Sequence, residues 1–323
     1  MVETPNARCD VLIEAGWVVP VVPHGVVLED HAVAITGDAI IAVGPTSALR
    51  ARFTAKETLS RPDAVLLPGL VNAHTHNPMT LLRGIADDLP LMEWLQGHIW
   101  PVEGAVMGPE FVRDGVTLAI AEMLRGGTTC ANENYFFPDV QAETYKRHGF
   151  RALVGLPVID FPTAWATTSD EYFGKAADVH AEWQGDALVG TTIAPHAPYT
   201  VSDANFVRAG VTLAIAEMLR GGTTCANENY FFPDVQAETY RRHGFRALVG
   251  LPVIDFPTAW ASTADEYFGK AQDVHDGLHG DALVGSAIAP HAPYTVSDAN
   301  FVRVREFAQR NDVRVHLCRK ARS

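Results

Sequence analysis

The sequence is short of cysteine, of positive charge and of long apolar runs. Its 323 residues hold 4 cysteines, Cys9, Cys130, Cys225 and Cys318. None falls in a CxxC pair, and the spacing carries neither a disulfide framework nor a cysteine-rich zinc module. That usage fits a reducing compartment, so a cytoplasmic location is expected. Lys and Arg number 25 against 38 Asp and Glu, a formal net charge of −13. This balance argues against nucleic acid or an anionic membrane as the main partner. The most apolar N-terminal stretch, residues 11–22, is broken by Glu14 and Pro20. It is too short to span a bilayer and lacks the basic start and cleavage pattern of a signal peptide. No GxGxxG, Walker loop or Gly-x-Ser-x-Gly elbow occurs, so no nucleotide-loop or serine-hydrolase chemistry is indicated.

What is present is first of all a repeat. Residues 114–208 return as 209–303, with 11 differences among 95 aligned positions. Solenoid repeats have periods of roughly 20–50 residues and diverge between units, so this is a different event. Phe-Val-Arg stands at 111–113, 206–208 and 301–303, at the same offset. The pattern is that of a tandem duplication of one internal segment. The two copies carry −11 of the −13 net charge, so the acidity is largely a copied property.

An apolar share of 47% supports a packed core. Residues 1–66 read as a small β module, with apolar runs on either side of Gly37-Asp38 predicting a hairpin. Residues 67–323 alternate strands and helices, the pattern of an α/β fold with a parallel sheet. A short apolar run ends at His74-Thr75-His76. In copy one, helical faces are expected over 116–124, 138–148 and 170–183, and strands over 128–133, 151–159 and 187–195. Copy two repeats them, and residues 313–318 add one more strand. The strands then number eight, as many as a closed (β/α)8 barrel needs. The expectation is a barrel closed by duplicated strands, beside an incomplete N-terminal β-sandwich module.

His74 and His76 lie at i and i+2 on a strand, so both side chains point to one face. Two imidazoles there can grip a divalent cation, although HxH alone is a common pattern. The surrounding string is more telling. Leu67-Pro68-Gly69-Leu70-Val71-Asn72-Ala73-His74-Thr75-His76 resembles the first-strand signature of the amidohydrolase superfamily. Residues 82–91, Trp100-Pro101-Val102-Glu103 and Ala194-Pro195-His196-Ala197-Pro198-Tyr199-Thr200, copied at 289–295, fit as well. Within that superfamily the chain is similar to the 5-methylthioadenosine/S-adenosylhomocysteine deaminases and the chlorohydrolases related to them. The resemblance runs to Leu317 with the repeat counted once.

The resemblance implies a metal-dependent hydrolytic deaminase of aminopurine nucleosides, with one divalent cation, usually zinc. Such a cation lowers the pKa of bound water and makes a nucleophile. It implies His74, His76 and His316 as metal ligands. Glu103 would accept from ribose hydroxyls, Arg151 would lie near the substrate tail, and His196 or its twin His291 would contact the nucleobase. Glu133 and Glu228 face the barrel mouth by position. At Cys318-Arg319 the family has His-Glu, and Arg319 cannot carry the proton that the Glu would shuttle. No catalytic residue is therefore assigned. The family's next-strand His and last-strand metal-binding Asp have no counterpart, and the end reads as frameshifted and truncated. Impaired turnover is expected, and the β module is expected to self-associate or aggregate through unpaired edges. The alternative from another class is a non-catalytic product of a rearranged gene that retains partial metal or nucleoside binding.

Overall fold

The computed structural model of the chain describes residues 7–317. The described residues form two compact units, one lying within 1–72 with 123–130 and the other within 73–122 with 131–323. The first unit is a four-stranded sheet of β1 (Ala7–Val18), β2 (Leu28–Thr36), β3 (Ala39–Pro45) and β4 (Phe53–Leu66), in the order β3-β2-β1-β4, with α1 (Thr46–Arg52). β1 runs antiparallel to β2 and parallel to β4. The expected hairpin turns at Gly37-Asp38, where Gly37 takes φ 59°, a conformation that costs a glycine little. Cys9, Leu12, Ala32, Ala34, Leu49 and Phe53 make its core. β3 is an outer strand and leaves Ile40 and Ile41 exposed.

The chain continues with β5 (Leu70–Thr75), a 3-10 turn (Asn77–Leu82), α2 (Leu91–Trp94), α3 (Trp100–Val106) and α4 (Pro109–Arg125). Copy one then supplies β6 (Thr128–Asn134), α5 (Pro138–Arg147), β7 (Arg151–Val158), α6 (Ser169–Trp183) and β8 (Val189–Pro195). α7 (Asp203–Arg220) joins the copies as one continuous helix that carries the second Phe-Val-Arg. Copy two supplies β9 (Cys225–Glu228), α8 (Pro233–Arg242), β10 (Arg246–Val253), α9 (Ala264–Gly277) and β11 (Val284–Pro290), and α10 (Asp298–Asn311) follows. No helix among the described residues is long and apolar enough to cross a membrane.

The α/β architecture with parallel strands is the expected one; the closed ring is not. The strands form two open sheets, β5-β6-β7-β8 and β9-β10-β11. The strand expected over 313–318 contributes one parallel bridge, Ile288 to Val315, and Cys318 lies outside the described residues. The reason lies in what each strand's surface fits. β9 is a copy of β6, and it pairs with β10 as β6 pairs with β7. The 313–317 stretch meets the edge of β11, where His316 N donates to the Ile288 carbonyl at 2.8 Å.

Candidate active site

The site forms at the C-terminal end of the first sheet, where strand ends meet the loops that follow. β5 delivers His74 and His76, whose ring centroids lie 4.9 Å apart in a T-shaped arrangement. His76 Nδ1–H donates to the Asn134 carbonyl, which leaves Nε2 free to bind. Burial, and to a lesser degree the neighbouring His74, pushes the His76 pKa down, against the backbone hydrogen bond. His196, just past β8, brings its ring to 6.3 Å from that of His76. Its Nδ1 meets Thr200 Oγ1 at 2.9 Å, and its pKa is lowered by burial and then by His76 and His74. These shifts favour neutral imidazoles, the form that binds metal and can accept a hydrogen bond.

Directly after His76 the chain is held by a buried acid. Glu133, at the end of β6, is fully buried. Both its oxygens accept from the Asn77 amide, at 3.1 and 3.0 Å, and Tyr145 Oη donates to it at 2.8 Å. Asn77 Nδ2 in turn donates to the Tyr145 hydroxyl. Burial outweighs these hydrogen bonds and lifts the Glu133 pKa to about 8. Glu133 thus clamps the turn that follows His76. A strand-terminal Glu in a sequence carries no mark of such a role.

Glu103, on α3, accepts from the Tyr135 hydroxyl, and burial raises its pKa. His76, Glu103, Tyr135 and His196 all border one cavity of about 330 Å³, whose walls include Trp94, Trp100, Phe136 and Phe161. The Trp100 and Phe161 rings lie 5.9 Å apart by centroid. Few polar groups converging in an aromatic pocket are what a flat heterocyclic ligand needs.

Of the residues expected at the site, His74, His76, His196 and Glu103 come together. His196, not its twin His291, is the one beside His76. His291 repeats the local hydrogen bond, to Thr295 Oγ1 at 3.0 Å, after the second sheet. Arg151 is exposed at the opening residue of β7, whereas the site lies past its closing residue Val158. Seven residues at about 3.3 Å each separate the two ends by about 23 Å, so Arg151 is not at the site. His316 sits beside β11 on the second sheet, its buried Nδ1 without a hydrogen-bond partner among the described residues. The described residues hold no group of three or more His, Cys, Asp or Glu side chains placed to hold a metal ion.

The amidohydrolase family profile matches residues 65–210 and again 202–317. A 5-methylthioadenosine/S-adenosylhomocysteine deaminase of Teredinibacter turnerae is 45% identical over 208 residues, 64% of this chain and 47% of that protein. One from Saccharophagus degradans is 43% identical over the same length and the same shares. The chain thus spans about half the length of the curated relatives it matches. Among solved structures, an adenosine deaminase from Xanthomonas campestris with bound zinc is 46% identical, with a TM-score of 0.62 over 97% of this chain and 69% of that one. The atrazine chlorohydrolase of Arthrobacter aurescens, 17% identical with a TM-score of 0.56 over 95% of this chain and 71% of that one, shares the fold.

Proposed function

The chain belongs to the amidohydrolase family, and from that premise we propose that its first cavity binds an aminopurine nucleoside of the 5-methylthioadenosine or S-adenosylhomocysteine kind, as a hydrolytic deaminase site of impaired turnover. The observation that carries this reading is the convergence of His76, His196 and the Glu103–Tyr135 pair on one aromatic-walled cavity. Its aromatic walls suit the faces of a purine. His196, its Nδ1 engaged by Thr200, offers Nε2 to a ring edge. Glu103 keeps an oxygen free of Tyr135 for a ligand hydroxyl. The deaminase names of the relatives support the substrate class.

The cofactor that goes with this reading is one divalent cation, zinc in the Xanthomonas relative. His74 and His76 suit it as a pair. His316, the third expected ligand, lies on the other sheet, and the described residues do not make a complete metal site. Arg319, outside the described residues, stands where the family's proton-shuttling Glu is expected. A guanidinium stays protonated, and general acid–base help of that kind is worth about 10²- to 10⁴-fold. The same separation of His316 favours a second reading, a non-catalytic product that binds nucleoside without turning it over.

Titration with 5-methylthioadenosine, read by fluorescence of the cavity tryptophans, tests the binding half. Saturable quenching is expected, and it is lost in Glu103→Ala and His196→Ala. Ammonia release with added zinc tests the other half and is expected near background. Absence of quenching sinks the nucleoside reading; rapid ammonia release sinks both the impairment and the non-catalytic reading.

A further inference from the structure

The repeat gives the molecule two copies of one receptor and a single segment that fits it. In copy one the receptor is full. Residues 73–82 lie against β6 and α4, where Asn132 Nδ2 donates to the Ala73 carbonyl at 3.0 Å and Asn77 is held by Glu133 and Tyr145. Pro78 lies so close to Gly115 that a Cβ there would stand 2.6 Å from the Pro78 carbonyl oxygen. In copy two the same residues, 95 positions on, stand open. β9 is the outer strand of its sheet. Gly210, the twin of Gly115, has nothing within 4 Å of where a Cβ would be. The Tyr240 hydroxyl, twin of the one that holds Asn77, is buried without a hydrogen-bond partner among the described residues. A groove of about 510 Å³ is bordered by Val207, Gly210, Val211, Ala214, Glu228 and Gln236. Their counterparts at 112, 115, 116, 119, 133 and 141 are the same residue types.

We propose that this groove is a binding site for an extended segment ending in a His-Asn-Pro turn, and that its occupant is the 73–82 segment of a second copy of this chain. Copy one shows what the receptor recognises: a strand edge, an Asn amide and side chain, and a proline seated over a glycine. The chain's own segment already occupies the first seat. Both seats fill together only when another molecule supplies the second segment. A donor must leave its own seat empty, so exchange between folded chains is nearly balanced. It is favoured where the segment is still free, as when chains fold together at high concentration. Seated on copy two, the donor's His74 and His76 would join the sheet whose far edge carries His316 of the acceptor.

A labelled peptide of residues 73–82, titrated into the full chain, reads the seat directly. Saturable binding of one peptide per chain is expected. Gly210→Leu, which puts side chain into open space on a helix, is expected to leave the fold intact by circular dichroism and to weaken binding at least tenfold. An Asn77→Ala peptide is expected to bind at least fivefold more weakly. No binding, or binding that Gly210→Leu leaves unchanged, overturns the site. For the occupant, the parent chain and Gly210→Leu are each refolded at high concentration and sized by light scattering. A dimer that the parent forms and Gly210→Leu loses is expected. A parent that refolds only as a monomer, or a dimer that Gly210→Leu leaves intact, overturns the second-copy occupant.

Discussion

Copy one hides Glu133 completely and exposes 7% of Tyr135; copy two leaves Glu228 half-buried and exposes 59% of Tyr230. The residues next to each pair in sequence are the same. What differs is the stretch before the repeat, which brings Asn77 to Glu133 and Glu103 to Tyr135 in copy one only. Other features are identical in both copies. Phe137 and Phe232 both take left-handed backbone, at φ 54° and 57°. Thr163 and Thr258 meet Tyr172 and Tyr267 through their hydroxyls, and twin clusters form around Trp165 and Trp260. The lesson is a division of labour. Caps, turns and helix-to-strand packing follow from the residues within about 30 positions. The burial, electrostatics and chemistry of the site are imposed by a segment from outside the repeat.

The largest break in that symmetry is expected at the twin glycines. Gly115→Leu would push side chain into the Pro78 backbone, 2.6 Å from its carbonyl oxygen. Overpacking of this kind costs about 1–3 kcal/mol and more where backbone must move. At Gly210 the same change meets no neighbour and replaces the weaker helix former, a gain of up to about 1 kcal/mol. Urea unfolding should show Gly115→Leu destabilised by about 3 kcal/mol or more and Gly210→Leu unchanged or slightly stabilised. Equal losses at both sites would mean that the segment does not distinguish the copies.

A pH effect follows from the clamp in copy one. Glu133 has a pKa of about 8 in the folded chain, against 4.5 for an ordinary Glu. Below pH 4.5 it is protonated whether the chain is folded or not. Between 4.5 and 8 the unfolded chain releases this proton and the folded one keeps it. Its contribution to stability is therefore full at low pH and falls as pH rises toward 8, by up to about 1.4 kcal/mol per pH unit. Glu133→Gln, which mimics the protonated acid, should flatten the decline of Tm between pH 5 and 8 and raise Tm at pH 8. Parallel slopes for the parent and Glu133→Gln would show that the buried acid is not the source.

The same division explains how much was legible in the sequence. The hairpin at Gly37-Asp38 was, because a two-residue turn between alternating strands is a local signal. So were the helices and strands of the repeat: the helix expected over 138–148 is α5, Pro138–Arg147, and the strand expected over 151–159 is β7, Arg151–Val158. His74 and His76 share a face because strand geometry places i and i+2 together. That the strands form two open sheets and not a ring of eight was not legible, since counting strands says nothing of which edges fit. Choosing between His196 and His291 was beyond it too, because the two strings are identical and only β5 tells them apart. Arg151 was carried over by resemblance to the wrong end of its strand. Glu133 was legible only as a residue facing the mouth, because its clamping role comes from Asn77, 56 positions earlier.

The smallest expected effect tests the local half of the division. Thr168 and Thr263 each cap a helix, accepting from the amides of Glu171 and Glu266 at 3.2 Å. Replacing such a cap by Ala costs about 0.5–2 kcal/mol. α6 and α9 share the Thr cap and the Asp-Glu of the first turn, with Thr167 and Ser169 replaced by Ser262 and Ala264, and each cap bond stays within its own helix start, so copy one gains nothing here from its extra neighbour. Thr168→Ala and Thr263→Ala should therefore lower stability by the same amount, about 1 kcal/mol, and agree within about 0.5 kcal/mol. The Thr168→Ala, Thr263→Ala double variant should lose the sum of the two. A cap that costs clearly more in copy one would mean that the segment's influence reaches local structure after all.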